Sequence, residues 1–263
     1  MAHYCIGTGA TLGGQGKNWL FSFKAFAFFF RKDGYVVVNK IVEKDKSPKQ
    51  KLSLEAKKNL VKHLKRCAKY YKENLLGNKY LVLFNNGEYI QILFKKSDFK
   101  HLTGVSSIYN ADKFYERCIG KGKVFISPTE IFTTEKHPED LALKKLEVFD
   151  KLLYIFTKQA YLLKDIKTDT ISYSFGVADL ELTLLCDKYN QNVDYQTASS
   201  LRRKSYLTLA KDHYEIDYVF KKTNTYFKYS ELMFPNKIDN DYFESNKEIL
   251  ESIIDYNSLI NND

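Results

Sequence analysis

Residues 53–76 form the pattern that most constrains how this chain can fold. Apolar side chains recur there at the spacing of an α-helix, and six basic residues cover the opposite face. The apolar positions are Leu60, Val61, Leu64, Cys67, Ala68, Tyr71 and Leu75. A helix with one apolar face must bury that face against another element. The sequence therefore predicts a long helix, ended by Gly77, that packs on a sheet.

Turn signals between apolar runs predict the strands of that sheet. Asn86-Gly87, between residues 80–84 and 89–94, is the strongest hairpin signal of the chain. Asp33-Gly34 predicts an earlier hairpin between residues 20–30 and 35–42. Further strands are predicted at residues 161–166, 170–175, 180–186, 205–210, 214–220 and 225–229. The expected fold class is α+β, an antiparallel sheet packed with helices.

Further helices are predicted at residues 111–118, at 141–157 after Pro138, and at about 241–259. We expect three regions: a glycine-rich N-terminus with a β-hairpin (1–50), a central domain (51–237) and an acidic C-terminal helix (238–263). The glycine-rich segment at residues 7–18 has the composition of a phosphate loop. It lacks the Gly-Lys-Ser/Thr ending that such a loop requires, so an irregular N-terminus is expected.

The charge of the chain favours an anionic partner. The formal net charge is +9. Residues 238–263 hold seven acidic residues and one lysine, which leaves a net +15 on the rest. A basic body is typical of proteins that bind phosphate groups. A Lys-, Asn- and Tyr-rich composition inherited from an AT-rich genome would give the same charge without that function, and this alternative stays open.

Several function classes are disfavoured by the sequence. Cys5, Cys67, Cys118 and Cys186 are far apart, so neither a zinc site nor a redox motif is indicated, and reduced thiols in a cytoplasmic protein are the simplest interpretation. The histidines are dispersed, and we expect no metal and no cofactor. No signal peptide is recognised, and the Phe-rich residues 20–30 are too few to cross a bilayer.

The segment Phe99-Lys100-His101-Leu102-Thr103-Gly104 is the most informative for function. It follows a predicted strand, and it places an imidazole and a hydroxyl close together before a glycine turn. Histidine titrates near neutral pH and can transfer protons. Thr103 can hold a phosphate oxygen. The alternative is that Thr103 and Gly104 only end a turn while His101 is an ordinary surface residue.

This segment, together with the preceding strand and the following Phe114-Tyr115, resembles the phage-encoded Barnase–EndoU–colicin–RelE-like nuclease families, and specifically their fourth subgroup. The resemblance is strongest at residues 97–118 and extends more weakly over residues 50–235. It implies a nuclease core in residues 51–237 and cleavage of RNA, without a metal, on a small antiparallel sheet. The resemblance also implies a serine from the late, strand-rich half near His101 and Thr103, either Ser199 or Ser200.

Two basic segments in that half could bind phosphate. In the first, hydroxyl residues precede Arg202, Arg203 and Lys204, and arginine is suited to bidentate phosphate contacts. A solvated loop is the alternative interpretation. In the second, residues 220–229, lysines alternate with aromatic residues that could stack on a base. Lysines that protect the edge of a hairpin would give the same pattern.

We therefore expect a phage- or prophage-type, toxin-like ribonuclease in which the ribose 2′-hydroxyl attacks the phosphate. The alternative is a non-catalytic nucleic-acid-binding protein that acts in phage–host conflict. The expected partner is RNA, with an inhibitor protein as a further candidate and no membrane. The candidate catalytic residues are His101, Thr103, Arg202, Arg203 and Lys221. The candidate substrate-binding residues are Ser199, Ser200, Tyr226 and Lys228.

Overall fold

The structure, a computed structural model, describes residues 28–30, 36–38, 48–85, 87–168, 171–188, 194–223 and 225–260. The chain divides into two units, Met1–Lys46 and Ser47–Asp263. In the first unit, β1 (Phe28–Phe30) pairs antiparallel with β2 (Val36–Val38). This pairing confirms the centre of the predicted N-terminal hairpin. The other residues of those two predicted strands, and the glycine-rich segment, lie outside the described residues.

The second unit combines helices and strands, as the sequence predicts. Its strands are β3 (Lys49–Gln50), β4 (Asn78–Phe84), β5 (Glu88–Leu93), β6 (Ser106–Ser107), β7 (Ile131–Thr134), β8 (Tyr161–Lys167), β9 (Ser172–Ala178), β10 (Thr183–Lys188), β11 (Gln196–Arg202), β12 (Ala210–Thr223) and β13 (Glu231–Phe234). Its α-helices are α1 (Leu54–Asn74), α2 (Asp98–Thr103), α3 (Ala111–Ile119), α4 (Glu139–Glu147), α5 (Asn240–Ser245), α6 (Lys247–Ile253) and α7 (Tyr256–Ile260). Short 3₁₀ helices connect them at Lys121–Lys123, Pro128–Glu130, Phe149–Phe156 and Leu207–Leu209.

The main sheet closes on itself, which corrects the expected simple antiparallel sheet. Seven strands follow each other in the order β12-β4-β5-β11-β10-β9-β8, and β8 pairs again with β12. The ring closes because β12 is long. Its residues 216–223 pair with β4, and its residues 210–215 pair with β8. The result is a closed seven-stranded barrel, in which the pairing of β5 with β11 is parallel. A smaller sheet has the order β3-β7-β6.

Helix α1 forms as its apolar pattern predicts. The side chain of Ser53 caps its first turn by accepting a hydrogen bond from the backbone N–H of Ala56 at 3.1 Å. The predicted apolar residues of α1 are buried in the main core, together with one face of the closed sheet. Tyr80 and Val82 of β4 belong to this core. The main core therefore lies between the helices and that face.

The opposite face of the sheet is covered by separate segments. Leu81 and Leu83 of β4 pack in a second cluster with Phe243 and Leu250 of the C-terminal helices. A third cluster includes Leu163, Ile166, Tyr173, Ala178, Leu185 and Tyr206. Alternate residues of one strand point to opposite faces. For this reason, a strand residue in the main core faces one side of the sheet, and a strand residue in the second or third cluster faces the other side.

Several predicted elements differ from the observed ones. The predicted helix at 141–157 ends as α4 at Glu147, because Val148 leaves the helical region, and a 3₁₀ helix follows. The predicted strand at 205–210 is mainly a 3₁₀ helix, and the one at 225–229 is a loop that precedes β13. Strand β11 was not predicted. The C-terminal helix is divided into α5, α6 and α7.

Candidate functional site

The segment at residues 99–104 forms helix α2 and its end, rather than an exposed corner directly after a strand. Phe99 and Leu102, three residues apart, face the same side of this helix and are fully buried in the main core. His101 lies on the other side and is exposed. The apolar residues of the segment thus anchor α2, and the anchored helix presents the imidazole at the surface.

Gly104 ends α2 in a backbone conformation that favours glycine. Its φ is 69°, and its backbone N–H bonds to the carbonyl of Lys100. It also lies under the side chain of Lys145, since a Cβ at residue 104 would stand 3.1 Å from Cδ and 3.4 Å from Nζ of that lysine. The glycine of the motif therefore both ends the helix and leaves room for Lys145.

Thr103 is fully buried, so the expected contact between its hydroxyl and phosphate is not supported by its position. The hydroxyl donates a hydrogen bond to the carbonyl of Lys100 at 3.0 Å and accepts one from the N–H of Val105 at 3.3 Å. Both bonds lie within the end of α2. The hydroxyl therefore stabilises this helix end, which is the alternative left open by the sequence.

Lys145, on α4, is a lysine with only 2% of its surface exposed. Its Nζ atom donates a hydrogen bond to Oγ of Ser200 at 3.3 Å. Among the described residues, no carboxylate forms a salt bridge with it. Burial lowers the pKa of Lys145 to about 7, and the charge of Arg202 adds to the lowering. Lys145 can therefore both hold and release a proton near neutral pH.

The helix that carries Lys145 is fixed by its neighbours. Ala142 and Leu146 are buried in the main core, so the same side of α4 that packs inward also carries Lys145. The Nη2 atom of Arg66, on α1, donates a hydrogen bond to the carbonyl of Leu146 at 2.8 Å. These contacts hold Lys145 against Gly104 and Ser200.

Ser200 and Arg202 lie on the second half of β11. This strand pairs with β5 only through Gln196 and Thr197, and helix α2 packs against it. Ser200 is opposite Leu185, a residue of the third cluster, so its side chain points away from the main core. Arg202, two residues further, points the same way, and its buried Nε has no hydrogen-bond partner among the described residues.

His101 completes what we name the α2–β11 cluster: His101, Lys145, Ser200 and Arg202. Although His101 is exposed by its surface area, surrounding protein atoms desolvate the imidazole enough to lower its pKa, and the charges of Lys100 and Lys145 lower it further. The His101 imidazole, which favours its neutral form, thus lies close to the buried amine of Lys145. The same amine contacts the hydroxyl of Ser200 and lies near the guanidinium of Arg202. These groups could bind a phosphate and exchange protons with it.

Ser199 and Arg203 flank the cluster without joining it. Ser200 pairs with Leu185 and Ala198 with Cys186, so Ser199 is the extra residue of a β-bulge. Nη1 of Arg203 lies 3.0 Å from Oε2 of Glu147, and both side chains are more than half exposed. Exposed ion pairs are weak, so Arg203 remains accessible at the surface.

The candidates near the end of the chain lie apart from this cluster. Lys221 forms a salt bridge with Glu231 at 2.9 Å, and Nζ of Lys228 donates to the carbonyl of Glu251 at 2.6 Å. Tyr226 is 62% exposed. Strand β12 is separated from β11 by β4 and β5, a distance of about 14 Å at the usual spacing of strands. The structure therefore does not bring Lys221, Tyr226 and Lys228 together with His101.

Lys145 is the residue that sequence reasoning missed. It lies three residues after Ala142 and directly before Leu146, within the apolar pattern of the predicted helix. A lysine beside an apolar stripe more often extends to solvent. The sequence did hold one signal of burial: a residue three positions after Ala142 on a helix lies on the same side as Ala142, which is the buried side.

The described parts of the chain contain no group of three or more His, Cys, Asp or Glu residues that could hold a metal ion. Cys67, Cys118 and Cys186 are buried free thiols. Among the described helices, none has the length and apolar character required to cross a membrane.

Comparison with known proteins identifies the family. No curated protein and no solved structure matches the chain. The sequence model of one family, described as phage-Barnase-EndoU-ColicinE5/D-RelE like nuclease4, matches residues 63–258, about three quarters of the chain. The match includes His101, Lys145, Ser200 and Arg202, together with all seven strands of the closed barrel. The chain therefore belongs to the phage-Barnase-EndoU-ColicinE5/D-RelE like nuclease4 family.

Proposed function

We propose that the protein is a ribonuclease in which the ribose 2′-hydroxyl attacks the adjacent phosphate. The observation that carries this proposal is the buried amine of Lys145, which contacts Ser200 at 3.3 Å and lies close to Arg202 and His101. Such cleavage needs a base for the 2′-hydroxyl, an acid for the leaving 5′-oxygen, and positive charge for the phosphorane. The α2–β11 cluster contains a group for each task.

His101 is the base in this mechanism. It is exposed, so substrate can reach it, and its lowered pKa favours the neutral form that accepts a proton. Arg202 contributes a permanent positive charge and a buried Nε that lacks a partner among the described residues. A phosphate oxygen bound there would satisfy this donor and would be stabilised by the guanidinium.

Lys145 is the acid in this mechanism and supplies the proton that the leaving 5′-oxygen takes up. Its pKa of about 7 means that a substantial fraction is protonated at neutral pH. Because Lys145 is buried behind Ser200, we assign the hydroxyl of Ser200 as the link through which the proton reaches the leaving oxygen. In this scheme the bond to the 5′-oxygen breaks as the 2′-oxygen bonds to phosphorus, which leaves a 2′,3′-cyclic phosphate.

The contact between Lys145 and Ser200 favours a second candidate function. A serine activated by a neutral lysine can itself act as a nucleophile. Oγ of Ser200 would then attack phosphorus, and Lys145 would take the hydroxyl proton and pass it to the leaving 5′-oxygen. Water would afterwards hydrolyse the phosphoserine and restore the free Ser200 hydroxyl. This phosphodiesterase does not need a 2′-hydroxyl and would cleave DNA as well as RNA.

The family supports a phage or prophage origin only through its name. We propose a toxin-like role against RNA in the cytoplasm, restrained by an inhibitor protein. The cluster uses protein cations for charge stabilisation, so cleavage should persist in excess chelator.

The deciding experiment compares an RNA strand with the same strand carrying a single 2′-deoxy nucleotide at the cleaved position, in excess EDTA. The proposal predicts cleavage of the first strand only, with a 2′,3′-cyclic phosphate end. Cleavage of both strands would support the serine nucleophile. Loss of cleavage in EDTA, with recovery in magnesium, would exclude both mechanisms. Tight RNA binding without any cleavage would identify the non-catalytic alternative.

A further inference from the structure

A second group of cations lies on the same face of the sheet, at the other end of β11. Lys79 of β4 and Lys222 of β12 are direct cross-strand partners. Two like charges placed opposite each other destabilise a sheet. Neither lysine forms a salt bridge within the described ranges of the chain. An anionic ligand at this position would relieve the repulsion.

Tyr195 and Lys95 extend this group toward β11. The Nζ atoms of Lys79 and Lys95 lie 5.0 Å and 5.6 Å from the centroid of the Tyr195 ring. Lys95 is also close to Asp98 and Asp112, so the positive charge of the group rests mainly on Lys79 and Lys222.

An exposed aromatic residue adjoins the lysines. Phe227 is 97% exposed. Its carbonyl accepts a hydrogen bond from Nζ of Lys222, which also lies 4.5 Å from the centroid of the Tyr229 ring. Tyr226, next to Phe227, is 62% exposed. Aromatic rings that are exposed beside cations are a usual stacking surface for unpaired bases. We name Lys79, Lys95, Tyr195, Lys222 and Phe227 the lysine–aromatic patch.

The register of β11 connects this patch with the α2–β11 cluster. Thr197 is opposite Asp187, and Ser200 is opposite Leu185, two residues earlier on β10. Because Ser199 is the extra residue of the bulge, Thr197 and Ser200 face the same side of the sheet, and so does Tyr195. Tyr195 and Ser200 are separated by five residue steps, or about 17 Å along the strand. One strand of a nucleic acid in helical form advances about 3.4 Å per nucleotide, so this interval accommodates several nucleotides.

We propose that the lysine–aromatic patch binds single-stranded nucleic acid and holds it several nucleotides away from the bond cleaved at the α2–β11 cluster. Lys79 and Lys222 bind phosphates, and Phe227 stacks on an unpaired base. Cations along a backbone combined with aromatic rings are the usual means of binding single strands, and a base in a duplex is not free to stack on a side chain. Binding of a single strand at the patch does not depend on the proposed function, whereas the distance from the patch to the cleaved bond rests on it.

The test measures binding of a 2′-O-methyl RNA strand of about 12 nucleotides, which cannot react through a 2′-hydroxyl, and of its duplex. Phe227→Ala should weaken binding of the single strand about 5- to 150-fold, the loss expected for one stacked base. The double variant Lys79→Ala/Lys222→Ala should reduce the slope of log affinity against log salt by about 1.4, the value for two lost phosphate contacts on a single strand.

Matched controls are available on other surfaces. Leu180 is 80% exposed and lies outside the patch, so Leu180→Ala should leave binding unchanged. Lys58 and Lys62 are exposed on α1, so Lys58→Ala/Lys62→Ala removes the same charge elsewhere. The proposal is overturned if Phe227→Ala binds like the wild type, if the control lysine pair loses the same slope, or if the duplex binds as tightly as the single strand.

Cleavage assays separate this inference from the proposed function. Patch variants should raise KM for a long RNA strand while leaving cleavage of a dinucleotide unchanged. If the wild type binds the single strand through the patch but never cleaves RNA, the proposed function fails and the binding site stands. If RNA is cleaved but patch variants change neither binding nor KM, the binding site alone fails.

Discussion

The Nζ atom of Lys145 lies 3.3 Å from the Oγ atom of Ser200, and this hydrogen bond joins helix α4 to strand β11. It is a contact between two buried polar side chains, and the lysine has no carboxylate partner among the described residues. A buried charge without such a partner is costly. Proteins retain such arrangements mainly at functional sites, and this is the basis of the predictions on activity.

His101→Ala should lower RNA cleavage by roughly 10²–10⁴-fold, the usual contribution of a general acid or base. His101 is exposed on α2, so unfolding by urea should change little. His213, exposed on β12, offers a matched control, and His213→Ala should cleave like the wild type. Equal activities of the two variants would assign His101 to the surface rather than to catalysis.

Lys145→Met should abolish cleavage and stabilise the protein. In the folded protein the pKa of Lys145 is about 7, whereas the ordinary value is 10.5. The unfolded chain therefore binds more protons between these pH values, and this lysine makes the free energy of unfolding rise as pH increases from about 7 to about 10.5. Replacing the lysine removes that dependence. A shift of this size corresponds to a few kcal/mol.

Urea unfolding of the wild type and of Lys145→Met at several pH values checks this sign. The stability gained by the variant should be largest below about pH 7 and should disappear toward pH 10.5. A variant that is less stable than the wild type at pH 6 would show that Lys145 contributes favourable contacts instead of an unfavourable charge.

Gly104→Ala should reduce both stability and activity more than Gly122→Ala. Both glycines have a positive φ, 69° and 70°, so alanine is strained at either position. Only at residue 104 would the new Cβ meet Lys145, at 3.1 Å from Cδ, whereas nothing lies within 4 Å at residue 122. The shared strain is about 1–2 kcal/mol. A loss of activity in Gly104→Ala but not in Gly122→Ala would indicate that Lys145 is displaced. Equal losses of activity in the two variants would contradict that displacement.

Leu250→Ala should destabilise the protein by about 2–5 kcal/mol. Leu250 is 2% exposed and packs in the cluster that covers Leu81 and Leu83 of β4. Ile249, its neighbour, is 45% exposed, so Ile249→Ala should change the melting temperature little. Truncation after Lys237 should destabilise the chain further. A truncated protein with an unchanged melting temperature would mean that this cluster adds nothing to stability.

The elements predicted correctly are those with local signals. Helix α1 combines a cap, an apolar stripe and a terminal glycine within one segment, and the hairpin of β4 and β5 has Asn-Gly at its turn. The family resemblance from residues 97–118 is likewise confirmed, because it depends on a short, unusual motif.

Strand β11 and Lys145 could not be predicted in the same way, because their environments are created by distant segments. The residues Thr197, Ser199 and Ser200 make β11 look like a polar loop, and only its pairing with β5 and β10 places it inside the sheet. Similarly, Lys145 resembles a solvent-exposed lysine until Gly104 and Ser200 are brought against it. Tertiary context overrides local preference at both positions.

The length of β12 has a consequence for the order in which parts of the protein fold. His101 belongs to the first half of the chain, whereas Ser200 and Arg202 lie on β11 in the second half, within the ring that β12 closes through β4 and β8. Pairings between segments so distant in sequence form late and slowly, and chains fold from the N-terminus as they are synthesised. We therefore expect closure of the barrel, which pairs residues 216–223 with residues 78–84, to be a late step in folding.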